Sequence, residues 1–165
     1  MFENITKLIK YPWSGAFFNR ISKATAEIQI PESVSKDIRT GGFMMIVAYA
    51  LNFLIPVFTI LISRASFGTI ISSIVSFAIS GGIMYAIIYY FTGDHIRKPM
   101  PYFILFVLVA LGLISTLYSL VISFGFLGWN IIAGLISFVA VAVQLVAMVN
   151  VAVGCIDFLL ASNPE

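Results

Sequence analysis

One cysteine, one histidine and few charges limit the chemistry open to this chain. Cys155 has no second cysteine with which to close a disulfide and lies in an apolar run, so it reads as a small buried residue that says nothing of redox compartment. With His95 as the only histidine, the usual His/Cys zinc site cannot be assembled within one chain. His95 also lies in the basic turn Gly93 to Pro99 without a nucleophile motif beside it, and reads as a solvated turn residue near lipid headgroups. The paired cysteines of a thiol oxidoreductase, a phosphate-binding P-loop and a dinucleotide glycine fingerprint are all missing. Gly81-Gly82 sits inside a hydrophobic stretch rather than after a strand. These absences argue against an enzyme, and no cofactor or metal is expected.

The scarcity of charge has a second consequence. Only 10% of the 165 residues are charged and 61% are hydrophobic, against about 25% and roughly 45–50% in an average soluble domain. A single domain of this size could not hide so much apolar surface from water, so the surplus must face lipid. The mean hydropathy of +1.07 agrees. The formal net charge is only +2, but six of the nine Lys and Arg residues precede Phe43. With no further basic cluster to track a phosphate backbone, this leading segment reads as a cytoplasmic flank near anionic lipid, and nucleic acid is set aside as a partner.

The predicted fold is an all-α integral membrane protein, an antiparallel up-and-down bundle of four transmembrane helices preceded by an amphipathic helical cytoplasmic segment. Residues 1–42 form that segment. Phe2, Ile5, Leu8 and Ile9 recur at helical spacing, and a weaker stripe of Phe17, Phe18, Ile21 and Ile28 follows Pro12. Tyr11, Trp13, Phe17 and Phe18 are candidate interfacial anchors, on lipid or on a partner subunit. Pro31 to Gly42 reads as a polar connector whose two closing glycines let the chain turn into the bilayer. Spans are predicted at 43–62, 67–91, 102–124 and 130–160, each meeting the roughly 20 residues that a hydrocarbon core of about 30 Å demands, with a short cytoplasmic tail at 162–165. The short connections imply antiparallel, adjacent neighbours. Arg97 and Lys98 in the second connection join the basic N-terminal side, while the opposite side offers only Arg64. That bias predicts cytoplasmic termini in a cell (inner) membrane.

Polar residues inside the spans are the remaining candidates. Asp157 lies roughly 40 Å along a helix starting at Asn130, beyond the ~30 Å hydrocarbon layer, and is expected to emerge at the cytoplasmic interface and pair with Arg97 or Lys98. Counted from the predicted span ends, Asn52 and Gln144 lie about 14 Å and 9 Å from the cytoplasmic boundary. At comparable depth they read as an interhelical amide pair, with a polar path as the alternative. Pro56 removes the N–H that the Asn52 carbonyl would otherwise accept. Each span also carries small or polar residues at three-to-four spacing, among them Ser76 and Ser80, Ser115, and Asn150. The acidic first-span residue of small multidrug transporters and the cysteine-paired first loop of claudin-like proteins are both lacking. The expectation is a non-enzymatic membrane subunit that self-assembles or anchors partner proteins at the cytoplasmic face. The alternatives are a homo-oligomeric channel or transporter with its path near Asn52 and Gln144, and an accessory subunit of an energy-converting or secretion complex.

Overall fold

The computed structural model describes residues 29–63, 67–93, 95–128 and 131–162, together with Thr6 and Asn19. All regular structure in these residues is helical: α1 (Glu32–Ser63), α2 (Phe67–Thr92), α3 (Pro99–Leu127) and α4 (Ile131–Ala161). At 1.5 Å per residue the helices measure about 39 to 48 Å, and each is long and apolar enough to cross a membrane. The chain is therefore a four-span integral membrane protein. The amphipathic helix predicted before Pro31, with Tyr11, Trp13, Phe17 and Phe18, lies outside the described residues.

Two expectations about boundaries are corrected. The stretch predicted as a connector, Pro31 to Gly42, is helix from Glu32 onward, so α1 begins 11 residues before the predicted span. The Ser35 N–H donates to the Pro31 carbonyl at 3.1 Å, closing the first turn, and Glu32 places an acidic group at the positive end of the helix dipole. Val34 and Ile38, one turn apart, are completely buried and hold this early section against α4. Likewise α3 begins at Pro99, three residues before the predicted start. Proline suits the first turn because its missing N–H has no helical acceptor there.

The glycines explain why the helix does not break. A Cβ on Gly41 would stand 2.6 Å from the Ala147 carbonyl oxygen and 3.0 Å from the Val151 nitrogen. On Gly154 it would meet Ile38 Cγ1 at 2.8 Å. Backbone thus approaches backbone where α1 crosses α4, the close packing that small residues permit in lipid. Gly42 makes a similar approach to the Ile88 and Met84 side chains of α2.

Three pairs of helices pack extensively: α1 with α4, α3 with α4, and α1 with α2. The bundle therefore runs α2, α1, α4, α3 across its width, with α1 and α4 as the central pair. Contacts between low-numbered residues of one helix and high-numbered residues of its neighbour make every packed pair antiparallel. Gly41 meets Val151, Gly42 meets Ile88, and Ser123 meets Ser137. Although a short connection joins α2 to α3, these two share no comparable face. They meet near the connection, where Tyr102 contacts Phe91, and then diverge around the central pair.

The two ends of the bundle differ. At the terminal end, where α1 begins and α4 finishes, lies a continuous core of Val34, Ile38, Tyr102, Leu105, Cys155, Phe158 and their neighbours. Tyr102 stacks on Phe158 with ring centroids 3.8 Å apart. Its hydroxyl donates to the Phe91 carbonyl at 2.9 Å, with the Ile96 carbonyl a second acceptor at 3.3 Å. Towards the opposite end, which carries the connections at 64–66 and 128–130, polar side chains replace this core between α1 and its neighbours.

Candidate functional site

Two grooves open in that polar half. The first, of about 270 Å³, lies between α1 and α2 and is lined by Tyr49, Asn52, Phe53, Ser72, Ser73, Ser76, Phe77 and Ser80. The second, of about 250 Å³, lies among α1, α3 and α4 and is lined by Asn52, Ser119, Ile122, Ser123, Ser137, Val141 and Gln144. Every lining residue belongs to one of the four apolar spans. Asn52 belongs to both grooves, so one side chain stands where they converge.

Helical periodicity builds these walls. Ser73, Ser76 and Ser80 follow one another at three and four residues on α2, as Ser119 and Ser123 do on α3. The Phe53 and Phe77 rings, with centroids 6.0 Å apart, bridge α1 and α2 beside the serines. Some hydroxyls are satisfied along their own helices: Ser73 donates to the Thr69 carbonyl at 2.8 Å, and Ser119 to the Ser115 carbonyl at 3.1 Å. Ser123 and Ser137 join α3 to α4 through a 2.8 Å hydroxyl contact. The side chains of Tyr49, Asn52, Ser72, Ser76, Ser80 and Gln144 bond to no other described residue. The Asn52 carbonyl also lacks its helical donor, because Pro56 occupies the position that would supply it. In hydrocarbon such groups each cost several kcal/mol unless water, a ligand or another chain meets them.

No known family, curated protein or solved structure matches this chain.

Asn52 shares the first groove with Ser76 and Ser80 and the second with Gln144, and the other candidates line neither. Asn52 and Gln144 share the second groove, yet no hydrogen bond joins their side chains. Because α1 starts at Glu32, Asn52 lies about 30 Å along its helix and about 16 Å from its end, placing it in the half towards the turns. Ser115 is exposed on α3 and lines neither groove. Asn150 lies on the terminal side of the grooves, where its Nδ2 stands 3.7 Å from Met44 Sδ across α1 and α4. Asp157 is half-buried near the end of α4, at the same end of the bundle as half-buried Arg97 and exposed Lys98. Both Asp157 and Arg97 are engaged in interactions.

Tyr49 and Ser137 are groove residues that sequence reasoning missed. A signal existed: Tyr49 stands three residues before Asn52 and Ser137 seven before Gln144, spacings that share a helix face. Only the packing of the four helices shows that those faces border grooves.

Proposed function

We propose that the protein is a non-enzymatic multi-pass membrane subunit that assembles within the bilayer, with copies of itself or with partner membrane proteins. The observation carrying this reading is the α1/α2 groove, where the side chains of Asn52, Ser72, Ser76 and Ser80 lack partners among the described residues at membrane depth. A lone chain would leave the open side of this groove against acyl chains. A second protein surface closes it at little cost, because hydroxyl and amide groups both donate and accept. The basic N-terminal flank, with Lys36 and Arg39 exposed on the first turns of α1, supports a cytoplasmic orientation for both termini in a cell membrane and an anchoring role there.

Mass measurement of the intact complex after gentle detergent extraction tests this reading. Two or more copies, or a co-purifying membrane protein, are expected. A chain that stays single and unaccompanied at membrane-like protein-to-detergent ratios would overturn the proposal.

A second reading is favoured by one specific observation, the convergence of both grooves on Asn52. In a homo-oligomer, repeated copies of these walls would surround a polar path and form a channel or transporter. Selective flux through liposomes, lost in Asn52→Leu or Gln144→Leu with the copy number preserved, distinguishes this from a scaffold. An accessory role in an energy-converting or secretion complex would instead leave liposomes impermeable and bring identifiable partner chains into the mass spectrum.

A further inference from the structure

We propose that the two grooves fill with water from the turn end of the bundle and together form one site for a small uncharged polar solute, a polyol or an amide, with Asn52 as the shared contact. The inference rests on the assembly reading only for the wall that closes the grooves towards lipid.

Three observations support it. First, the grooves are large enough: at about 30 Å³ per water molecule, each holds on the order of eight. Second, several polar groups of the lining have no partner among the described residues. Ser72, Ser76 and Ser80 forgo partners among the described residues, although a serine in a helix can ordinarily donate to the carbonyl one turn back, as Ser73 does. Asn52 adds an amide without a partner among the described residues and the carbonyl freed by Pro56. Backbone acceptors released within a membrane are tolerated where they line a water-filled cavity. Third, the grooves lie within reach of the aqueous phase: Asn52 is about 16 Å and Ser119 about 12 Å from the ends of their helices at the turn side.

The lining also selects for charge. Among the described residues no Asp, Glu, Lys, Arg or His borders either groove, and Asp157, Arg97 and Lys98 lie at the other end of the bundle. An ion would exchange its hydration shell for a few hydroxyl and amide dipoles without a counter-charge, whereas a neutral solute exchanges one set of hydrogen bonds for another.

The native sequence offers a direct test, because its one cysteine is removable. In a Cys155→Ala background reconstituted into vesicles, single cysteines are placed at Ser76 and Ser119 in the grooves and at Ile79 and Val121 on outward faces, which are 58% and 69% exposed. Methanethiosulfonates react with the thiolate, which requires water. The neutral hydroxyethyl reagent is expected to modify the groove positions at least tenfold faster than the outward ones. The charged trimethylammonioethyl and sulfonatoethyl reagents, each normalised to a free thiol in solution, should lag it there by tenfold or more. Adding Asn52→Leu should slow labelling severalfold in both grooves. Equal rates at groove and outward positions would overturn the hydrated site, and charged reagents that match the neutral one would overturn its selectivity. Unchanged rates with Asn52→Leu would overturn the shared contact. Ser80→Cys and Ser137→Cys repeat the measurement if either first variant fails to assemble. Complex mass reports on assembly and labelling rate on hydration, so the two can fail separately.

Discussion

Replacing Gly41 with alanine probes the crossing on which the bundle depends. The added Cβ would lie 2.6 Å from the Ala147 carbonyl oxygen and 2.7 Å from Val151 Cγ2, about 0.8 Å short of the 3.4 Å at which ordinary contact begins. One obstacle is backbone, so no rotamer change relieves it, and α1 must move away from α4. A radial gap of 0.5 to 1 Å forfeits about a quarter to a half of each dispersion contact along the seam. The expected loss is about 3 kcal/mol, the upper end for an overpacked core, or roughly 100-fold in the ratio of folded to unfolded protein. Gly154→Ala meets a side-chain carbon at 2.8 Å and backbone only at 3.3 Å, so about 1 to 2 kcal/mol is expected. Gly82→Ala meets nothing within 4 Å and should be neutral, or stabilising by up to about 1 kcal/mol through helix propensity. Fully buried Cys155 supplies the assay. Alkylation of its thiol across a sodium dodecyl sulfate titration in mixed micelles follows opening of the α1/α4 pair, and the midpoints should fall in the order Gly82→Ala, Gly154→Ala, Gly41→Ala. A Gly41→Ala midpoint equal to that of Gly82→Ala would refute the close approach of the two backbones.

Other outcomes follow from the same geometry. Tyr102→Phe keeps the stack on Phe158 but removes the hydroxyl from the Phe91 and Ile96 carbonyls, and should cost about 1 to 2 kcal/mol in the same titration. Ser123→Ala breaks the hydroxyl contact to Ser137 and should cost no more than about 1 kcal/mol, because interhelical hydrogen bonds in membranes average about 0.6. Gly112→Ala faces the mobile end of Met148 at 2.9 Å, so a loss under about 1 kcal/mol is expected, measured as the midpoint shift. A fluorescent protein fused to the C-terminus should mature and fluoresce in intact cells, as cytoplasmic termini require, and a dark but membrane-inserted fusion would reverse the orientation.

Much of the fold was legible because lipid imposes simple demands. A span needs about 20 apolar residues whatever it packs against, so the four helices could be counted and their cores placed within a few residues. The reading failed where a residue has two uses. Gly41 and Gly42 break helices in water, yet they are sites of close approach when another helix lies alongside, as α4 and α2 do here. Ser76, Ser80, Asn52 and Gln144 were recognisable as polar residues at membrane depth. Whether they paired with one another or faced open space depended on the rotation of each helix about its axis, which no local pattern states.

The scarcity of charge and the length of the apolar runs determined by themselves that this chain lives in a membrane and crosses it four times. The physical reason is local: each segment must satisfy its own backbone and present apolar side chains to hydrocarbon. That α1 packs on α4, while α2 and α3 diverge, was decided by tertiary structure alone. In lipid the hydrophobic effect does not choose partners, and fit does. Gly41 and Gly154 fit α1 to α4, α2 and α3 take the flanks, and Asn52, without a side-chain partner among the described residues, is left where the two grooves meet.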